Sequence, residues 1–237
     1  AERKGYLEAL VPRGLLSHSD DLLGVPVSAE GLSPLLIKWE GQRISSLERI
    51  KGKSVLPKQI VLPRLLEPHT HLDKAFTWLN YPNLQGTYDG ALASNFLEHN
   101  ARSAVKVRER VERSMKLALR NGLRAIRSHV DSAGPEVEES WESLLDVQSV
   151  WRNYLELQFV ALVPLDFWSS QDGKLLAKFV AGFGGLLGGV LVPPFRADQT
   201  RDSLFQMLEL AENLGCGIDL HIDEAQSKPA VGLKQLL

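Results

Sequence analysis

The chain carries a single cysteine, Cys216, in 237 residues. That excludes an internal disulfide framework and fits a reducing cytoplasm. It has no basic excess: 27 Lys and Arg stand against 29 Asp and Glu, a net charge of −2, which argues against a nucleic-acid binder. No apolar run reaches the roughly 18 to 20 residues of a membrane span. The opening Ala1-Glu2-Arg3-Lys4 lacks the apolar core of a signal peptide. A G-x-G-x-x-G fingerprint is missing after the first strand of the repeating region, so a dinucleotide site is unsupported. The glycine-rich stretch 182–189 lacks the Lys-Ser/Thr of a phosphate loop, and close helix–strand packing explains it better. What remains is ordinary globular composition, 44% hydrophobic and 24% charged, enough for one large domain or two small ones. The expectation is a cytoplasmic protein acting on a small molecule, with no nucleic acid and no membrane as partner.

The texture changes near residue 66. Residues 1–66 hold short apolar runs broken by Gly, Pro and Ser, at Tyr6–Val11, Leu35–Trp39 and Ser54–Leu62. Gly41-Gln42 reads as a turn between Leu35–Trp39 and Ile44–Leu47, a hairpin-like pattern in a short-stranded β region. From there to residue 237, apolar strands alternate with amphipathic helices. Strands are expected at Leu65–His71, Arg124–Asp131, Leu157–Pro164, Leu186–Pro193 and Gly217–Asp223, with helices near 101–121, 138–154, 173–181 and 201–214. In the first helix Ala104, Val107, Val111, Met115, Ala118 and Leu119 recur at three and four residues, and Asn121-Gly122 closes it. Leu204, Met207, Leu208 and Ala211 form the stripe of the last, which Gly215 stops, while Ala230–Leu237 looks like the start of another.

Such alternation predicts a parallel sheet, either open or closed into a (β/α)8 TIM barrel. Polar residues at the strand ends favour the barrel, whose chemistry gathers at one mouth. They are His69 and His71, then His129 and Asp131, then Asp166, then His221, Asp223 and Glu224. A barrel needs eight units in about 250 residues. Five strands are legible here, so the expectation is an incomplete barrel, the N-terminal part of a longer protein or a gene product that is this short.

Two imidazoles at i and i+2 on an extended strand face the same side and can converge on one ion. His69 and His71, joined by His221 from a later strand, offer three imidazoles to one divalent metal with a position left for water, whose pKa such an ion lowers towards neutrality. Glu224, three residues beyond His221, is the candidate to move protons, provided the strand ends near Asp223. His129 and Asp131 read either as groups supporting the ligands or as ordinary strand-end polarity. His18 and His99 read as surface residues, Cys216 as a buried structural thiol, and Trp141 and Trp151 as core; Asp73 or Asp223 has a cap as its plainest role.

Leu66-Glu67-Pro68-His69-Thr70-His71-Leu72-Asp73-Lys74, Ile126-Arg127-Ser128-His129-Val130-Asp131 and Asp219-Leu220-His221-Ile222-Asp223-Glu224 resemble, in content, order and spacing, the amidohydrolase superfamily and within it the bacterial cytosine deaminase-like group. The resemblance implies a (β/α)8 barrel (residues 67–237 its N-terminal part) with a small β-sandwich to which residues 1–66 contribute. It implies one zinc or iron ion on His69, His71 and His221, and hydrolytic deamination of a cyclic amidine or heterocyclic amine by metal-bound hydroxide. Glu224 would then protonate the ring nitrogen, with His129, Asp131, Leu165 and Asp166 at the substrate or behind the ligands. The family's histidine at the end of strand six and aspartate at the end of strand eight have no position in this sequence. Leu165 stands where cytosine-specific members carry a glutamine, which turns the expectation away from cytosine and towards triazine amines or other cyclic amides. Val190-Leu191-Val192-Pro193-Pro194-Phe195 offers no lysine or glutamate to bridge two metals, favouring one. The alternatives are hydrolysis of an amide or N-alkyl amine, and a non-catalytic remnant that needs a partner chain. Either a homo-oligomer or a separate C-terminal part of the barrel is expected.

Overall fold

The computed structural model describes residues 3–17, 22–52, 56–134, 137–193, 195–224 and 230–237. The expected surface position of His18, and parts of the segments read from Ala1–Lys4, Ser54–Leu62 and Val190–Phe195, lie outside these residues. The chain divides into two compact units, Ala1–Arg64 and Leu65–Leu237.

The first unit is an antiparallel sheet of β1 (Lys4–Pro12), β2 (Leu32–Glu40) and β3 (Arg43–Arg49), in that order. Along β2 every second residue, Ser33, Leu35 and Ile37, is buried, and it meets Ala9 and Val11 of β1 on the same face. The hairpin turns at Gly41, whose φ of 61° is cheap only for glycine. Among the described residues this unit has no α-helix, and Arg13–Leu15 form a 3-10 turn.

The second unit is a parallel five-stranded sheet of β4 (Leu65–Thr70), β5 (Leu123–Asp131), β6 (Glu156–Leu162), β7 (Leu186–Leu191) and β8 (Ile218–Ile222), paired in chain order. Its helices are α1 (Tyr88–His99), α2 (Ala104–Arg120), α3 (Val137–Trp151), α4 (Gln171–Gly182) and α5 (Ala197–Leu214). Most of the α2 stripe forms as its spacing predicts: Val107, Val111, Met115 and Ala118 are buried, but Leu119 is exposed, as is Leu208 of the expected α5 stripe. The Ser103 hydroxyl accepts the Lys106 N–H at the N-terminus of α2. Trp141, Leu144 and Val147 of α3 and Met207 and Ala211 of α5 enter the same core, against Phe159 and Ala161 of β6. Trp151 is only partly buried at its margin, and Cys216 packs there half-buried. The sheet is curled, because Asp219 on β8 touches His129 on β5 although β6 and β7 lie between them.

Two elements differ from expectation. Helix α1 was not foreseen, because its apolar residues Leu92, Phe96 and Leu97 stay exposed and make no buried stripe; only Glu98 is buried. The segment beginning at Ala230 forms a 3-10 turn, Leu233–Leu236, rather than an α-helix.

The glycines of β7 mark close packing. A methyl group on Gly188 would lie 2.6 Å from Val160 Cγ1 and 2.7 Å from the Ala161 carbonyl oxygen, which is backbone and has little room to yield. Gly188→Ala is therefore expected to lower unfolding stability by about 1–3 kcal/mol, read from the urea midpoint. An unchanged midpoint contradicts this packing.

Candidate metal centre

The β4 segment ends at Thr70, so His69 lies on the strand and His71 just past it, before the 3-10 turn Leu72–Lys74. The Thr70 hydroxyl donates to the Arg127 carbonyl and the Leu72 N–H to the Ser128 hydroxyl, which ties this end to β5. His129 comes from β5 and His221 from β8. The structure thus assembles four imidazoles rather than three: one ligand atom each from His69, His71, His129 and His221 lies within 4.8 Å of the others.

The donor set fits a divalent ion. His71 Nε2 and His221 Nε2 are 3.2 Å apart. Two imidazoles bound at 2.0–2.1 Å in a tetrahedral site stand about 3.3 Å from each other. The Nδ1 atoms of His71, His129 and His221 are buried without a hydrogen-bond partner among the described residues. Burial, then the charge of Lys74 and the proximity of His221, lowers the His71 pKa to about 3. Burial, with His129 and His69 close by, lowers that of His221 to about 4. The His129 pKa is also lowered by burial, against the opposing pull of Asp219. Neutral rings keep the lone pairs that ligation requires.

Beneath the rings a polar chain crosses the inside of the sheet. His129 Nε2 lies 3.1 Å from Asp219 Oδ1, the other Asp219 oxygen accepts from Arg127 at 2.7 Å, and Arg127 Nε donates to Gln158 at 2.8 Å. Burial opposes the charge on Asp219, but the bonds from Arg127 and His129 hold its carboxyl below the usual range. None of Asp219, Arg127 and Gln158 had been singled out from sequence; their alternation along apolar strands was the available signal.

A cavity of about 850 Å³ opens on His71 and His221, walled by Trp78, Tyr81 and Tyr88 on one side and by Leu165, Val190 and Val192 among others. Glu224 also lines it. Strict strand alternation would turn Glu224 away from His221, but β8 ends at Ile222 and Asp223 adopts a left-handed φ of 59°, which breaks the alternation before Glu224. The Asp223 carboxylate accepts the N–H groups of Gly232 and Leu233, so its capping role is met in the turn that follows. Burial, then the charge of Glu224 and of Asp89, raises the Tyr88 phenol. Leu165 stands at the cavity wall, whereas Asp166 is exposed and does not line it. His99 is half-buried and also lines the cavity, not a purely surface residue.

Asp131 faces the cavity but has its oxygens engaged: Oδ1 accepts from Lys74, and Oδ2 from Arg102 and Asn95. Asp73 is not a simple cap. It is buried and accepts from Arg102 and from the Asp131 N–H. In this pair burial and the neighbouring Asp131 raise Asp73, while Lys74 and Arg102 overcome burial and hold Asp131 low.

Histidines converging from the C-terminal ends of three parallel strands, beside a cavity that a carboxylate also lines, form a donor set that could hold a metal ion. Over 187 residues, 78% of its length, the chain is 36% identical to a pterin deaminase of Rhizobium rhizogenes, covering 42% of that protein. It is 20% identical over 222 residues, 92% of its length, to N-isopropylammelide isopropyl amidohydrolase of Pseudomonas sp., covering 53% of it. Among solved structures, the 5-methylcytosine deaminase of Klebsiella pneumoniae with phosphonocytosine superposes with a TM-score of 0.75 at 19% identity, over 98% of this chain and 55% of that one. No protein-family model matches. By these comparisons the chain is similar to deaminases and an amidohydrolase, and it spans about half the length of the relatives it matches.

The depressed imidazole pKa values carry a sign for stability. The unfolded chain takes up protons near the ordinary histidine value of 6.5, while folded His221 and His71 resist until about 4 and about 3. Stability of the metal-free protein should therefore fall as pH drops from 6.5 towards 4. Thermal melting between pH 7 and 4.5 checks this: the midpoint should decline, and less steeply in His71→Gln. A flat profile contradicts the buried neutral rings.

Proposed function

We propose that the protein hydrolyses the exocyclic carbon–nitrogen bond of a heterocyclic amine, releasing ammonia and leaving an oxo group on the ring. The observation that carries this reading is the convergence of His69, His71, His129 and His221 beside a cavity that Glu224 also lines. His69, His71 and His221 are assigned as ligands of one zinc or iron ion. When bound, such an ion makes a water molecule acidic near neutral pH and so supplies the nucleophile. Glu224 would take one proton of the attacking water and deliver it to the adjacent ring nitrogen. The proton of the hydroxyl left on the ring carbon would then pass to the amino group, so that the carbon–nitrogen bond breaks, ammonia leaves and the hydroxyl becomes the oxo group. His129, anchored by Asp219, supports the ligand rings. Trp78, Tyr81 and Tyr88 offer flat faces for a planar ring, and Leu165 supplies an apolar contact in place of an amide pair. The volume and the similarity to a pterin deaminase favour a pterin-like bicyclic substrate over a single pyrimidine ring.

Hydrolysis of an N-alkyl group is the second reading, favoured by the similarity to N-isopropylammelide isopropyl amidohydrolase and by the apolar wall of Leu165, Val190 and Val192. Assay of the products separates the two: ammonia supports the first, an alkylamine the second. We assign the protein to the cytoplasm, in keeping with its one partly buried cysteine. Among the described residues, no helix is long and apolar enough to cross a membrane.

The outer edges of β4 and β8 have no strand partner among the described residues. Such edges call for further strands, from the same protein or from another copy. The 237-residue chain on its own is accordingly expected to turn over poorly, and robust deamination by the metal-loaded chain overturns that view. In the complete protein Glu224→Gln should keep its metal content while kcat falls about 10²- to 10⁴-fold. His221→Ala should instead lose the metal, measured by elemental analysis; unchanged metal content would remove His221 from the ligand set.

A further inference from the structure

We propose that Arg102 is the positioning residue of the metal centre, fixing the two histidine-bearing strand ends, of β4 and β5, and the cavity helix α1 at one point. This rests on the reading that the histidines hold a divalent ion. Arg102 follows α1, and its side chain is 4% exposed. Its guanidinium meets four acceptors from three places. Nη1 lies 3.2 Å from Asp73 Oδ2, two residues past His71. Both Nη atoms lie 3.3 Å from Asp131 Oδ2, two residues past His129. On α1, Nε and Nη2 reach Glu98 Oε2 at 2.9 and 2.6 Å, and Nη2 reaches Asn95 Oδ1 at 3.4 Å.

Three buried or half-buried carboxylates in one place need compensating charge, which Arg102 shares with Arg110 on Glu98 and Lys74 on Asp131. Such buried clusters add little net stability over apolar packing, but they impose a defined geometry through many directional bonds. The bonds of Arg102 fall where geometry matters for the site. The Asp131 N–H also donates to Asp73, so the ends of β4 and β5 are locked to each other as well as to the guanidinium. Through Asn95 and Glu98 the same group fastens α1, which contributes Tyr88, Leu92 and Asn95 to the cavity. A lysine keeps the charge but lacks the planar fork that reaches three carboxylates at once.

The test uses the intact protein and the variants Arg102→Lys and Asp73→Asn, with zinc titration and the visible absorption of the cobalt-substituted site. The wild type should bind one zinc. Both variants, folded by circular dichroism, should bind it about 10- to 100-fold more weakly, the range for groups that orient ligands. Their cobalt spectra should differ from wild type in band position or intensity, a change that a loss of stability alone does not produce. Where Arg102→Lys does not fold, the near-isosteric Asp73→Asn decides. A folded variant with wild-type zinc affinity and cobalt spectrum overturns the inference. A wild type that binds neither zinc nor cobalt overturns the metal reading beneath it.

Discussion

The contact between His129 and Asp219 is the constraint on which the site depends. β5 and β8 are three inter-strand steps apart, roughly 14 Å across a flat sheet at about 4.8 Å per step. Their side chains nevertheless meet at 3.1 Å, which requires the sheet to curl until the inner faces of non-adjacent strands close on each other. The same curl carries His221 to His71. Without it the strand-end histidines would be spread along an edge and no ion could touch more than neighbours. Glycines 188 and 189 help: in β7, between β6 and β8, they leave room for Val160, Leu165 and Leu220.

Charge is divided between two neighbouring layers. Burial and neighbouring histidines lower the pKa values of His71, His129 and His221, with Lys74 adding its positive charge against protonation of His71. The carboxylates Asp73, Asp131 and Glu98 sit among Arg102, Lys74 and Arg110, which satisfy most of their charge locally, while Asp131 opposes the lowering of His71 without overcoming it. A free carboxylate against the histidines would raise their pKa values and make protons stronger competitors for the ligand nitrogens. Asp219 touches the cluster through His129, and Arg127 holds its other oxygen.

Much of this was legible in the chain because it follows from local periodicity. Period-two alternation put His69 and His71 on one side, and period 3.6 put Val107, Val111 and Met115 on one face of α2. Helix α1 was illegible for the opposite reason: it is held by the Thr87 cap and by the polar grip on Asn95 and Glu98, not by an apolar stripe. The spacing of Glu98 and Arg102, four residues apart, was a signal, but one shared by many exposed helical pairs. In the sequence His129 reads as a group behind the ligands or as strand-end polarity, since no pattern in the chain says which strand faces which across a curled sheet.

The sequence by itself determined the β-rich first segment, the β/α alternation, the strand-end placement of His69, His71, His129 and His221, and the carboxylate at Glu224. These are properties of residues a few positions apart, where covalent geometry links spacing to direction. Only the tertiary structure decided that four imidazoles meet, that Asp223 turns Glu224 into their cavity, and that one buried guanidinium joins Asp73, Asp131 and α1. The contacts of Arg102 with Asp73 and Asp131 and of His71 with His221 join residues 29 to 150 positions apart, and the curl of the sheet closes distances that no local pattern encodes.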